Sequence, residues 1–207
     1  MEIDIYCGGL FQTNGYLFEA NGKAWLFDCP EGVSEWLESK GVKLDGIILT
    51  HQHHDHVIGA GAAQAQSECP IWAWSEPSED LTMAKRLEQM MGVPCELAPY
   101  RVDHLLEGES TLSLEELELE LELFHVPGHS PDSVCFRVNG QPVLVGGDVL
   151  FKQGIGRTDF PNGDHDQLIN GIKEKLWPLP DETHVLPGHG PTTTIGEEKT
   201  ENPFLQA

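Results

Sequence analysis

Apolar and polar positions alternate in short stretches along most of the chain, separated by turn residues. Tyr16-Leu17-Phe18 and Ala24-Trp25-Leu26-Phe27 flank Asn21-Gly22, a pairing that predicts a two-residue hairpin. Val33, Trp36 and Leu37 recur at helical spacing, and Gly41 marks the end of that helix. Gly46-Ile47-Ile48-Leu49-Thr50 predicts a buried strand, and Ile71-Trp72-Ala73-Trp74 another. Between them, the Ala- and Gly-rich residues 57–66 predict a helix packed closely on a sheet, and residues 79–91 a helix ending at Gly92. Leu117, Leu119, Leu121 and Leu123 alternate with Glu118, Glu120 and Glu122, which predicts one strand with a buried and a wet face. A second hairpin is expected around Asn139-Gly140. Asp164 is the expected cap of a helix carrying Leu168, Ile169, Ile172 and Leu176, and Thr194 with Glu197 has capping-box spacing. Strands arrive in two blocks, each followed by helices, and the tight turns imply antiparallel or mixed sheets. The pattern points to an α+β chain with sheet on sheet and helices outside.

Composition narrows the function classes. The 207 residues include 34 acidic and 12 basic side chains, a net charge of −22, and 39% hydrophobic residues. That length suits a single domain, residues 1–207. A nucleic-acid partner needs clustered Lys and Arg, and an anionic membrane surface needs the same, so neither is expected. The N-terminus lacks the signal-peptide pattern, and no apolar run has the length of a membrane span. Cys7, Cys29, Cys69, Cys95 and Cys135 are odd in number and widely spaced. They read as reduced thiols, mostly buried, in a cytoplasmic protein.

The chemistry concentrates in Thr50-His51-Gln52-His53-His54-Asp55-His56, between the expected strand and helix. Residues two apart in extended chain share a face, so His51 and His53 can converge on one ion. Asp55 and His56, where the helix begins, can turn toward a second ion, and His54 points away. A solvated loop or an incidental metal-binding tract would be the plainer reading of this segment alone. Three further segments speak against it. Pro127-Gly128-His129-Ser130, Gly146-Gly147-Asp148 and Pro187-Gly188-His189-Gly190 each place one ligand type just past an expected strand, beside glycine. Imidazole and carboxylate together suit zinc, iron or manganese. His104, His125, His165 and His184 have no motif partner and read as surface or hydrogen-bonded residues.

In this order, the His-x-His-x-Asp-His run, the lone His129, the lone Asp148 and the final His189 resemble the signature of the metallo-β-lactamase superfamily, with Asp28 as an earlier strand-end aspartate. The resemblance covers about residues 14–205 and implies a four-layer αβ/βα sandwich. Within the superfamily the chain looks most like short-form glyoxalase II, through Gly156-Arg157-Thr158-Asp159-Phe160-Pro161, Pro187-Gly188-His189-Gly190-Pro191 and Asn202-Pro203-Phe204-Leu205. Carried over, His51, His53 and His129 would hold a first metal, and Asp55, His56 and His189 a second. Asp148 would bridge the two, and Asp28 would support ligands from outside. The implied cofactors are two divalent ions, zinc before iron or manganese. The implied substrate is a small-molecule thioester such as S-D-lactoylglutathione. Full-length glyoxalase II adds a helical glutathione-binding domain, whereas this sequence ends soon after its last metal motif, so a catalytic core is expected. Asp132 also stands where relatives often have Gly.

The mechanism that follows is attack on the thioester carbonyl by a hydroxide shared between ions about 3.5–4 Å apart, with Asp55 orienting it. A thiolate of pKa about 8.5 leaves without a strong general acid. Arg157 could pair with a substrate carboxylate or with Asp159. The persulfide dioxygenase branch also shares Gly156-Arg157-Thr158-Asp159 and would use one iron on His51, His129 and Asp148. It usually carries Cys where Ile155 stands and lacks Gly188-His189-Gly190. A lactonase-like hydrolase and a metal-stabilised binding protein without turnover are more distant alternatives.

Overall fold

Asn21 and Gly22 both take positive φ, 55° and 74°, so the chain reverses in two residues and Ala20 faces Lys23. This turn lies in the first of two compact units, Met1–Glu107 and Gly108–Ala207, of a computed structural model that describes residues 1–206.

The first unit contains β1 (Glu2–Gly8), β2 (Thr13–Ala20), β3 (Lys23–Phe27), α1 (Val33–Lys40), β4 (Gly46–Ile48), α2 (His54–Val57), α3 (Ala60–Ser67), β5 (Ile71–Ala73), α4 (Glu79–Thr82), α5 (Ala84–Met91) and β6 (His104–Leu105). Its six strands form one mixed sheet in sequence order. β1, β2 and β3 pair antiparallel, and β3 to β6 run parallel. Leu26, Ile47 and Ile71 of the sheet bury against Val33 and Leu37 of α1 and Ala60 and Ala63 of α3. The small residues of α3 have a steric cause. A Cβ at Gly61 would lie 2.7 Å from the Pro99 carbonyl, so only glycine lets α3 come this close. The helix expected over 57–66 is α3, which starts three residues later, at Ala60; Val57 closes the short α2 before it. The expected helix over 79–91 breaks at Met83, which takes φ 53° while the Glu79 carboxylate accepts the Lys85 N–H at 2.8 Å.

The second unit contains β7 (Thr111–Leu114), β8 (Leu119–His125), β9 (Val134–Val138), β10 (Val143–Gly147), β11 (Leu150–Phe151), β12 (Gly154–Ile155), α6 (His165–Gly171), β13 (His184–Pro187), β14 (Thr193–Thr194) and α7 (Ile195–Glu201). Its sheet has the order β14-β13-β10-β9-β8-β7, and β11 and β12 form a separate hairpin. β8 and β10 both pair antiparallel with β9, and β13 runs parallel to β10. β8, β10 and β13 therefore point the same way. Leu144 and Val185 of the sheet pack with Leu168, Ile172, Leu176 and Ile195. Asp164 caps α6 by accepting the Gln167 N–H at 2.9 Å, and Thr194 caps α7 through the Glu197 N–H. The helical turn continues past α6 with π geometry over Ile172–Leu176. The Leu/Glu alternation begins as a strand only at Leu119. Glu115–Leu117 form a 3₁₀ turn closed by Glu118 at φ 55°, and the turn still buries Leu117. Among the described residues, no helix is long and apolar enough to cross a membrane.

Candidate metal centre

Parallel strands gather the functional loops of each unit. In the first unit, Asp28 follows β3, and the His51–His56 run follows its parallel neighbour β4, so both loops leave the same sheet edge. Asp28 is buried and takes φ 59°, a conformation that Asp tolerates better than most residues. It binds the histidine loop three times. Its Oδ1 accepts the Thr50 N–H at 2.8 Å, and its Oδ2 accepts the Thr50 hydroxyl at 2.7 Å and faces His56 Nδ1 at 2.9 Å.

These bonds set the tautomers. A carboxylate beside His56 Nδ1 places the proton there and leaves Nε2 with its lone pair. The Thr50 hydroxyl spends its hydrogen on Asp28 and therefore accepts from His51 Nδ1, 3.2 Å away, which leaves His51 Nε2 with a lone pair as well. That Nε2 lies 3.2 Å from His53 Nδ1, and Asp55 Oδ2 lies 3.7 Å from His56 Nε2. Two ligand atoms each about 2.1 Å from one tetrahedral ion are about 3.4 Å apart. The spacings fit a divalent cation, and the basic atoms face the right way. Asp55 is further held by the Thr13 hydroxyl, which donates to its Oδ2 at 2.7 Å.

The second unit reaches similar spacing by another route. His129, Asp148 and His189 follow β8, β10 and β13, the three strands that share a direction. Asp148 Oδ2 lies 3.5 Å from His129 Nε2 and 3.3 Å from His189 Nε2. His129 Nδ1 donates to the Arg157 carbonyl at 2.8 Å, which again leaves Nε2 with its lone pair. The Gly188 N–H bonds to the Gly147 carbonyl at 2.8 Å and ties the His189 loop to the Asp148 loop. Gly156 has to be glycine, because a Cβ there would overlap the Asp148 carbonyl and lie 2.9 Å from the His129 ring. Gly128, at φ 130°, lets the His129 loop meet the start of α6, where a Cβ would lie 2.5 Å from the Leu168 nitrogen. Asp132 is buried and accepts the Ser130 hydroxyl, closing the loop after His129.

The remaining candidates find their places. His54 is buried and lines a cavity with Leu10, Phe11 and Cys95. It bonds to the Cys95 backbone, its Nε2 has no hydrogen-bond partner, and burial pushes its pKa down. Burial, with Asp28 nearby, pushes the Cys29 thiol well up, so it stays protonated and is a poor ligand. All five cysteines are free, and only Cys7 is exposed. Of the two roles open to Arg157, the internal one is occupied. Its guanidinium forks onto Asp159 with bonds of 2.8 and 2.7 Å and stacks over Phe160 at 3.9 Å. Sequence reasoning missed Thr13, which is separated from Asp55 by 42 positions and has no motif around it. It also took Gly156 only as motif text, although its place before Arg157 hinted at a close backbone approach.

The family model of the metallo-beta-lactamase superfamily matches residues 8–189. The chain is 36% identical to the probable metallo-hydrolase YqgX of Bacillus subtilis (strain 168), over 95% of this chain and 94% of that protein. It is also 36% identical to the hydroxyacylglutathione hydrolase GloC of Haemophilus influenzae, over 100% and 99%. Among solved structures it is similar to BLEG-1 B3 metallo-beta-lactamase, with a TM-score of 0.88 and 35% identity over the whole of both chains. Sequence match, spacing of ligand atoms and fold agree: this chain belongs to the metallo-beta-lactamase superfamily and has its fold.

Proposed function

We propose that the protein is a metal-dependent hydrolase of small-molecule thioesters, of the glyoxalase II kind. The observation that carries this reading is Asp148, whose one carboxylate oxygen lies within 3.5 Å of two histidines. A carboxylate so placed suits a bridge between two cations. In the proposal, His51, His53 and His129 hold one divalent ion, Asp55, His56 and His189 hold the other, and Asp148 serves both. When bound, such ions supply a hydroxide at neutral pH and polarise a carbonyl. The protein's own groups do the rest. Asp28 and the Arg157 carbonyl hold the Nδ1 protons of His56 and His129 and so leave their Nε2 atoms basic, and Thr13 aims Asp55, which orients the attacking oxygen. A C–O bond forms and the C–S bond breaks, so that water and thioester become carboxylate and thiol. The likeness to a hydroxyacylglutathione hydrolase over the full length supports a glutathione thioester as substrate. The free thiols fit a reducing, cytoplasmic setting.

A second reading rests on the likeness to a B3 metallo-beta-lactamase, which points to β-lactam hydrolysis. One set of assays separates the readings. Metal per chain is measured on protein loaded with zinc and with iron, and turnover is followed on S-D-lactoylglutathione, an acetyl thioester and a cephalosporin. Two ions per chain with thioester turnover is the expected result. One iron with oxygen uptake on glutathione persulfide would overturn it in favour of the dioxygenase alternative, and cephalosporin turnover alone would favour the second reading.

A further inference from the structure

A cavity of about 200 Å³ opens within the first unit, beside Asp55. One wall is the tip of the β1–β2 hairpin. Gly9 at φ 72° and Gln12 at φ 52° close that turn, with the Gln12 N–H on the Gly9 carbonyl at 3.2 Å. The tip carries Leu10 and Phe11, 72% and 43% exposed, where a hairpin turn ordinarily carries polar residues. The facing wall is the segment after α5. Gly92 ends that helix at φ 68° and sends Val93, 48% exposed, to the cavity, with Met91 just before it. Ile58 completes the apolar lining. The bond between His54 and the Cys95 backbone ties this wall to the helix that carries Asp55.

Two features define the ligand. The apolar rim is exposed on a chain of net charge −22, so it is a local departure from an acidic surface. The lining contains no Lys or Arg, while Glu31 and Asp55 are part of it, so a carboxylate-bearing group is disfavoured there. We infer that this cavity takes the acyl chain of the thioester, and that the chain is apolar and about four to eight carbons long. The inference rests on the thioesterase reading, because it places the acyl group next to a proposed metal ligand. The length follows from volume: at about 30 Å³ for each water-sized group, the cavity holds six or seven such groups. A lactoyl group would leave most of it unfilled.

The test uses the metal-loaded full chain and a series of glutathione thioesters from acetyl to dodecanoyl. kcat/KM should rise by about fourfold per added methylene through hexanoyl and stop rising beyond octanoyl. In Phe11→Ser/Val93→Ser the ratio of hexanoyl to acetyl kcat/KM should fall by about tenfold. Binding of the uncharged octanamide, followed by calorimetry, should weaken by a similar factor, a readout independent of turnover. Equal rates along the series with acetyl turned over, or a rise that survives the double variant, would overturn the acyl cavity and leave the thioesterase reading standing. Hydrolysis of no thioester at all would instead overturn the thioesterase reading. In that case, octanamide binding that the double variant weakens still supports an acyl cavity, and undetectable binding removes it.

Discussion

The two units bring histidine and carboxylate to similar spacings by opposite means. In Met1–Glu107 the ligand types sit in one continuous run, and a single buried side chain, Asp28, disciplines them. In Gly108–Ala207 they sit on three separate loops. Co-directional strands bring the loops together, and main-chain groups hold them: the Arg157 carbonyl, the Gly147 carbonyl and the bare Cα of Gly156. The first arrangement concentrates its vulnerability in one residue. The second spreads it over topology and glycines.

The comparison can be broken most severely at its hub. Asp28→Ala removes an acceptor of three hydrogen bonds and leaves Thr50 and His56 donors buried. It should cost about 3 kcal/mol in urea denaturation and lower metal content below one ion per chain. Unchanged metal content would show that the run at 51–56 orders itself. The matching stroke in the second unit is Gly156→Ala, which should cost about 2 kcal/mol by overpacking and reduce turnover about a hundredfold by pushing Asp148 and His129 apart. A variant with full activity would deny the close backbone approach its role.

Smaller substitutions sharpen the contrast. Thr13→Val removes one bond to Asp55 and should cost about 1 kcal/mol, with kcat lowered about fivefold and KM little changed. Arg157→Ala removes a half-exposed ion pair and should alter stability by less than about 1 kcal/mol. If its KM for a thioester rose tenfold, the guanidinium would have to exchange Asp159 for substrate. Thiol labelling gives the smallest perturbation. Cys7 should react in the native protein, while Cys29, Cys69, whose thiol burial pushes up to about 11, and Cys135 react only after unfolding.

What the sequence made legible follows the same division. Short-range patterns carried both Asn-Gly hairpins and the caps at Asp164 and Thr194, because each is settled by neighbours. The family resemblance carried the superfamily and its fold. Patterns failed where the backbone takes a left-handed residue without glycine, at Met83 and Glu118, since hydrophobic periodicity continues through such breaks. They also gave no sign of β6, β11, β12 and β14, each of only two residues and so too short to show a period. Thr13 was invisible because its importance lies in a carboxylate 42 positions away.

His129 takes its orientation from the carbonyl of Arg157, a group every amino acid possesses. Side-chain replacement at position 157 leaves that acceptor where it was. A mutational scan would therefore score the position as dispensable while it goes on setting a tautomer, and a one-residue deletion between Gly156 and Asp159 would expose the dependence at once. Part of this centre is written in the spacing of the main chain, where substitution cannot reach it and insertion or deletion can.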